Sequence, residues 1–277
     1  MNVLHALRLA LYYVFFLVVF NVLPLICLPL IPLFSALLVY HYGVKFIFKF
    51  IFKSDVVIVG PHKDSAASFE GIILMSHKSH MDFWLGHVFG NAATLGRLLV
   101  ALACPFMTIY GVLSSTFIVF NRGKKGGRSK PLRERFALAI AKRGRLIIFP
   151  EGHRLPIRGV LTPFRTGALA YAFHSRTPVM VAPTEGAQAV INYATGRIQR
   201  GMPVVANCCG IFYPDSFEDM DEFINTVEQS FIDGYTKATE EFDRLVLERF
   251  PGINLEQVHS KAKPYLDHKK IGKQKII

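Results

Sequence analysis

Residues 71–82 read GIILMSHKSHMD, an apolar run followed at once by a polar cluster with two histidines and one aspartate. Such a short apolar run predicts a buried strand, so the cluster should lie where a strand ends and a helix begins. In open α/β sheets, ligands bind at the edge formed by the carboxyl ends of the strands. His77 and Asp82 can meet across the turn, where the carboxylate would fix the imidazole tautomer and leave one nitrogen free to take a proton. In isolation, such a pair more often has a structural or N-capping role.

The chain around this cluster alternates between short apolar runs and helical patterns, which predicts βαβ units. Helices are predicted over 131–143, where Pro131 suits a first helical position, and over about 218–250. The sequence therefore predicts an α/β fold, a mostly parallel mixed sheet flanked by helices. The predicted strands are Val56–Val59, Ile72–Met75, Leu98–Ala103, Thr116–Phe120, Leu146–Phe149, Val179–Ala182 and Val204–Ala206.

The N-terminal region is strongly apolar, with no charged residue between Leu9 and Tyr40. This run exceeds the ~20 residues that one membrane span requires. Because three prolines divide it, two interpretations remain: a single tilted span with a kinked extension, or two shorter helices forming a hairpin. A cleaved signal peptide is disfavoured, because the run is long and lacks a small-residue cleavage pattern. Lys45, Lys49 and Lys53 follow the run, which predicts that the catalytic domain lies on the cytoplasmic face of the membrane.

Charge and composition indicate anionic partners. The chain has 32 Lys and Arg against 20 Asp and Glu, a formal net charge of +12. Nucleic acid, an anionic membrane and phosphate-bearing substrates all fit this charge. From Lys261 onward the chain carries six lysines and one aspartate, which predicts a tail attracted to anionic lipid. The predicted organisation is a membrane-anchoring segment (1–53), a catalytic domain (54–255) and a basic C-terminal tail (256–277).

Three further strand-end clusters carry candidate site residues. The run LIIFPEGHR (146–154) places Glu151, Gly152 and Arg154 after a strand, although a turn with a surface ion pair would look the same. The run TFIVFNR (116–122) ends in Arg122, which could also be a solvated strand end. Two strand-end arginines within a basic stretch could clamp a phosphate. The run TPVMVAP (177–183) is an apolar strand between prolines.

Together and in this order, the four clusters resemble the conserved blocks of the glycerolipid acyltransferase family, of the PlsC-like 1-acyl-glycerol-3-phosphate acyltransferase type. The resemblance covers roughly residues 69–210. The matching residues are His77 and Asp82 for N-H-x4-D, Gly111 and Arg122 for the second block, Phe149–Gly152 and Arg154 for F-P-E-G-T-R, Pro178 and Pro183 for the fourth, and Phe164–Ala168 for a further F-K/R-x-G-A element. The departures from the family pattern are Ser76, His80, Asn121 and His153.

The resemblance implies an acyltransferase that moves a fatty acyl group from acyl-CoA or acyl-ACP to a lysophospholipid, giving phosphatidic acid if the acceptor is 1-acyl-glycerol-3-phosphate. It implies that His77 is the general base and that Asp82 orients it. Arg122 and Arg154 would hold the acceptor phosphate, Glu151 would position an arginine or the hydroxyl, and backbone N–H groups near Gly152 would face the oxyanion. The expected partners are the acceptor, the donor and the lipid bilayer, with no nucleic acid, metal or further cofactor.

Other enzyme classes lack their signatures in this sequence. H-x-H-x-D-H and H-E-x-x-H are missing, as are the lipase elbow G-x-S-x-G and the P-loop G-x4-G-K-[ST]. Two alternatives stay open. One is a catalytically silent member of the fold that only binds membrane, and the other is an acyltransferase that uses another lysolipid or glycerol phosphate.

Overall fold

The computed structural model describes residues 3–27, 29, 46–86, 92–120, 130–192, 196–258 and 275–276. The strands are β1 (Val56–Val59), β2 (Gly71–Leu74), β3 (Ala92–Arg97), β4 (Phe117–Phe120), β5 (Arg145–Ile148), β6 (Val160–Leu161), β7 (Val179–Val181), β8 (Thr184–Glu185), β9 (Ile191–Asn192), β10 (Arg197–Ile198), β11 (Val204–Asn207), β12 (Gly210–Phe212) and β13 (Lys275–Ile276). The α-helices are α1 (Val3–Leu17), α2 (Leu23–Cys27), α3 (Asp82–Leu85), α4 (Leu98–Ala103), α5 (Pro105–Leu113), α6 (Lys130–Arg143), α7 (Gly167–Ser175), α8 (Ala187–Val190), α9 (Met220–Arg249) and α10 (Leu255–Val258).

The largest sheet has six strands in the order β12-β7-β2-β5-β3-β4. All of its pairings are parallel except β12 with β7, which is antiparallel. A three-stranded sheet, β1-β11-β8, combines one parallel and one antiparallel pairing. The predicted α/β fold with a mostly parallel mixed sheet is therefore confirmed. Parallel pairing matters for function, because it brings the carboxyl ends of β2, β3, β4 and β5 to one edge.

Strand β2 lies in the middle of the sheet, and its side chains are buried on both faces. Ile72 and Leu74 pack with α6, α7 and the first half of α9, whereas Ile73 and Met75 pack with the N-terminal helix and the second half of α9. A strand covered on both faces reads as a continuous apolar run in the sequence. This explains why residues 71–75 carry no polar side chain.

The predicted strand over Leu98–Ala103 is wrong, because these residues form α4 and the strand beside them is β3. Leucine and alanine, which make up most of the run, favour helix. A fully apolar run has no period by which a strand can be told from a helix. The other predicted strands and both long helices are present, with ends shifted by a few residues.

Glycines let β3, β4 and α5 approach closely. A Cβ on Gly96 would lie 1.9 Å from the ring of Phe117, and one on Gly111 would lie 2.5 Å from the Cβ of the same residue. Gly111 of the second block therefore has a packing reason to be glycine.

The N-terminal segment forms a helix that packs on the catalytic domain. It runs as α1, a π-helical segment at Val18–Val22, and α2, and the stretch Ala6–Ile26 is long and apolar enough to cross a membrane. The π-helical turn precedes Pro24, and proline disrupts regular helical hydrogen bonding to the preceding turn. Tyr12, Val19 and Phe20 are buried against the domain.

The choice between one span and a hairpin depends partly on residues 30–45, outside the described residues. Most of the basic tail is also outside them, although β13 pairs with β6. The predicted domain boundaries stay predictions.

Candidate active site

The turn after β2 brings His77 and Asp82 into contact. His77 Nδ1 lies 2.8 Å from Asp82 Oδ2. The same carboxylate oxygen accepts the backbone N–H groups of Lys78 and Ser79 at 2.6 and 2.8 Å. Asp82 is fully buried at the start of α3. The aspartate therefore both organises the turn and orients the imidazole, so the structural interpretation and the catalytic one are compatible.

The imidazole of His77 lies between Asp82 and the ring of Phe149. Its ring stacks on Phe149 with centroids 4.4 Å apart, and its carbonyl accepts the N–H of Leu155 at 3.0 Å. Burial lowers the pKa of His77, an effect opposed by Asp82 and reinforced by Arg154 and Lys78. The ring is consequently neutral at pH 7, with Nε2 as the nitrogen not bonded to Asp82. A neutral imidazole with a fixed tautomer is the form that a general base requires.

Glu151 supports this turn from inside the protein. Its Oε1 accepts the backbone N–H of His77 at 2.9 Å, and its Oε2 lies 3.7 Å from Lys78 Nζ. Burial raises the pKa of Glu151, and Lys78 opposes that rise. The resemblance implied that Glu151 positions an arginine or the acceptor hydroxyl, and this role stays a prediction. The carboxylate is buried and is not among the residues that line the cavity beside His77. Its contacts are those of a residue that positions His77.

Lys78 is the centre of a buried polar network that extends to α9. Its Nζ donates to the carbonyl of Val160 at 2.6 Å and lies 4.7 Å from the ring centroid of Tyr235. The Tyr235 hydroxyl and the Gln188 amide both donate to the carboxylate of Glu185. Burial raises the pKa of Glu185, and Lys78 opposes that rise. The network thus joins the turn over residues 76–82 to β8 and α9.

Gly152 shapes the loop after β5. Its φ is +67°, and a Cβ there would lie 2.2 Å from Arg165 Nε, so a larger residue would be both strained and blocked. The Gly152 carbonyl accepts Arg97 Nη2 at 2.9 Å, while its N–H donates to Phe149 O at 3.0 Å. The N–H of Gly152 therefore already closes a turn. It does not fit the oxyanion donor that the resemblance implies for this region.

A cavity of about 570 Å³ opens beside His77. Three arginines line it, and burial followed by the nearby charges of Arg165 and Arg154 lowers the pKa of Arg97. The rest of the lining is mostly apolar. It includes Leu95, Leu99, Val100, Phe120, Leu132, Phe136 and Phe149. The cavity therefore combines a basic group, a cationic cluster and an apolar wall.

The structure describes only one of the two arginines predicted to bind phosphate. Arg154 lines the cavity, as the sequence interpretation requires, whereas Arg122 lies outside the described residues. Sequence reasoning gave no role to Arg97 or Arg165. Arg97 ends β3, but the incorrect prediction of a strand over Leu98–Ala103 left this strand end unrecognised. Arg165 lies in the F-R-T-G-A element, and the sequence interpretation assigned it no function. A correct boundary for β3 would have identified Arg97 as one more strand-end cation.

Residues 57–184 match the family model described as Acyltransferase, which confirms the predicted resemblance for this part of the chain.

The structure is similar to the crystal structure of the 1-acyl-sn-glycerophosphate (LPA) acyltransferase PlsC from Thermotoga maritima. The TM-score is 0.63 at 21% sequence identity, and the match covers 84% of this chain and 95% of that chain. No curated protein matches the sequence.

Proposed function

We propose that the protein transfers a fatty acyl group from an acyl thioester to the hydroxyl of a phosphate-bearing lysolipid, with His77 as general base. The observation that carries this proposal is the contact of 2.8 Å between His77 Nδ1 and Asp82 Oδ2 at the wall of a cavity that contains three arginines. The favoured acceptor is 1-acyl-glycerol-3-phosphate, with phosphatidic acid as the product. PlsC from Thermotoga maritima is a 1-acyl-sn-glycerophosphate (LPA) acyltransferase, which supports this choice of acceptor.

In the proposed mechanism, His77 Nε2 takes the proton of the acceptor hydroxyl as its oxygen attacks the thioester carbonyl. Asp82 stabilises the imidazolium that forms. The tetrahedral intermediate then collapses with cleavage of the C–S bond, and His77 returns the proton to the departing thiolate. General-base assistance of this kind contributes ~10²–10⁴-fold to the rate.

The acceptor and the acyl chain occupy different parts of the cavity in this proposal. Arg97, Arg154 and Arg165 bind the phosphate, since guanidinium groups match phosphate oxygens in charge and geometry. The predicted role of Arg122 on the same phosphate stays part of the proposal. The apolar wall around Leu95, Phe120 and Phe136 receives an acyl chain. The donor is acyl-CoA or acyl-ACP.

The test uses the purified full-length protein in detergent with labelled acyl thioesters and a panel of lysolipids. We expect one lysolipid to be acylated, and we expect His77→Ala and Asp82→Asn to abolish the reaction while the fold is retained. His174→Ala, at an exposed histidine on α7, is the matched control and should behave as the unsubstituted protein. Product formation by folded His77→Ala would refute the mechanism. Membrane binding without acyl transfer to any acceptor would favour the catalytically silent alternative.

We also propose that the chain is membrane-bound, with its catalytic domain on the cytoplasmic face. The apolar helix over Ala6–Ile26 and the lysines at 45, 49 and 53 support this orientation. Protease treatment of right-side-out and inverted vesicles measures it. The catalytic domain should be cleaved only in inverted vesicles.

A further inference from the structure

Helices α4 and α5 expose apolar side chains where soluble helices expose polar ones. Residues 98–113 contain no charged residue. The inner face, with Ala101, Met107 and Tyr110, is buried. The outer face carries the leucines Leu99, Leu102 and Leu113, which are 76%, 70% and 65% exposed. An amphipathic surface helix would expose polar side chains on its outer face. The outer face of α4 and α5 is instead apolar, and among the described residues nothing covers these leucines.

The long helix α9 follows the soluble pattern instead. In α9, eleven of the thirty residues are charged, and Leu247 is its only large hydrophobic residue that is exposed. The apolar outer face is thus a property of α4 and α5 and not of the whole surface.

The N-terminal helix lies beside this face and shares its composition. Helix α5 packs against Val18–Val22 and α2, and Asn21 Nδ2 donates to Ala103 O at 3.4 Å. On the outer side of α1, exposed apolar residues recur at Leu4, Leu7, Leu11 and Val14, with helical spacing. The apolar face of α4 and α5 is therefore adjacent to the segment proposed to enter the membrane.

The same face reaches the active-site cavity. Leu99 and Val100 line the cavity beside His77, and Leu99 is also largely exposed. A lipid substrate reaching the catalytic histidine from a bilayer would have to leave the hydrocarbon near such an opening. The route of a lipid substrate to His77 rests on the proposed function, whereas the exposure of the face does not.

We propose that α4 and α5 form a second membrane-contact surface, which inserts into the lipid bilayer beside the N-terminal helix and sets the cavity opening against the acyl region. The occupant is the bilayer, because the face is continuous with the N-terminal apolar helix and lacks the charged groups that rim protein interfaces. The exposed segment that contains Phe46, Lys49 and Phe50 combines a cation with aromatic side chains, which suits the surface of an anionic membrane.

The direct test attaches an environment-sensitive fluorophore to cysteines placed at Leu102 and Leu113. The full-length protein is mixed with vesicles of phosphatidylglycerol and phosphatidylethanolamine, with unsubstituted protein labelled in parallel to subtract the native cysteines. We expect a blue shift at both positions and quenching by lipids that carry a spin label on the acyl chain. Leu247→Cys on α9 is the control and should show neither change. Absence of quenching at both test positions would overturn the proposal.

A second arm measures function. Leu102→Glu/Leu113→Glu should lower vesicle partitioning by about tenfold or more, because each leucine loses favourable burial in hydrocarbon. Transfer between short-chain, water-soluble substrates should be unchanged. Leu138→Glu/Leu247→Glu, at exposed leucines of α6 and α9, should leave both quantities unchanged.

Two other outcomes are informative. A blue shift without vesicles, together with a dimer that Leu102→Glu/Leu113→Glu dissociates, would overturn the proposal in favour of a second copy of this chain. Lipid quenching by a protein that acylates no acceptor would support the surface and refute the proposed function, so the two failures can be told apart.

Discussion

At the scale of single residues, the catalytic turn depends on a buried balance of charge. Lys78 is fully buried, and it faces the buried carboxylate of Glu151 while its charge also lowers the pKa of Glu185. Burying a charge is costly unless opposite charges and hydrogen bonds compensate it. Because Glu151 also accepts the backbone N–H of His77, the position of the imidazole is linked to this ion pair.

Lys78→Met tests that link. Removing the cation leaves buried carboxylates uncompensated, at a cost of about 3–5 kcal/mol, and should lower kcat more than it raises KM. Thermal unfolding in detergent should shift down by roughly 6–20 °C for a chain of this size. The exposed Lys142→Met on α6 is the control and should change neither quantity.

The double variant Lys78→Met/Glu151→Gln sharpens the experiment. It removes one of the uncompensated carboxylates, so it should recover part of the lost stability. Strictly additive losses would show that the two residues are not coupled.

The pH profile reports the protonation of His77. Burial lowers the pKa of His77 below its ordinary value of 6.5, so the neutral base should persist into mildly acidic solution. We expect kcat/KM to be constant through pH 6.5 and to fall only at lower pH. In Asp82→Asn, the pKa of His77 measured by NMR titration of the imidazole should fall further, because Asp82 raises the pKa that burial lowers. An acid limb above pH 6.5 would contradict this account.

At the scale of elements, α1 directly contacts the turn over residues 76–82. Tyr12 Oη lies 2.5 Å from His80 Nδ1, and the rings of Phe16 and His80 are 4.8 Å apart. Burial, reinforced by the charges of Arg154 and His77, lowers the pKa of His80 to about 3. His80 is therefore neutral at pH 7 and serves as a polar partner for the N-terminal helix, between the two catalytic positions.

Tyr12→Phe should loosen this contact, because it removes one buried hydrogen bond worth about 1 kcal/mol and leaves the His80 nitrogen without that partner. We expect faster hydrogen–deuterium exchange over residues 76–82 and earlier proteolytic cleavage of the N-terminal segment. Tyr13→Phe is the matched control, since the neighbouring ring is about half exposed. Equal effects of the two substitutions would show that the contact carries no coupling.

At the scale of the whole molecule, the cationic side of the cavity is assembled from distant segments. Arg97 comes from the end of β3, Arg154 from the loop after β5, and Arg165 from the loop before α7. His77 joins them from the end of β2. Parallel pairing of these strands brings the charges to one edge of the sheet, where each raises the affinity for an anion.

Arg97→Ala, Arg154→Ala and Arg165→Ala should each raise the KM for the acceptor and leave the KM for the acyl donor nearly unchanged. Loss of one charge-assisted contact of ~1.5–3 kcal/mol corresponds to about 10–150-fold in acceptor affinity. The lysine variants should recover only part of the loss, because lysine lacks the planar fork. Arg176→Ala, at an exposed arginine after α7 that does not line the cavity, is the control. A rise in donor KM alone would assign that arginine to the phosphates of the carrier.

The sequence by itself determined the local features of this protein. The apolar runs predicted six of the strands (β1, β2, β4, β5, β7 and β11) but not β3. The spacing of His77 and Asp82 predicted their contact, and the N-terminal composition predicted an apolar helix. These properties depend on neighbours in the chain and on the period of the pattern. The tertiary structure alone decided that Arg97 and Arg165 join Arg154, that Glu151 lies beneath His77 rather than in the cavity, and that Lys78 is buried against α9. Such contacts depend on strand order and packing between residues far apart in sequence, which no local pattern encodes.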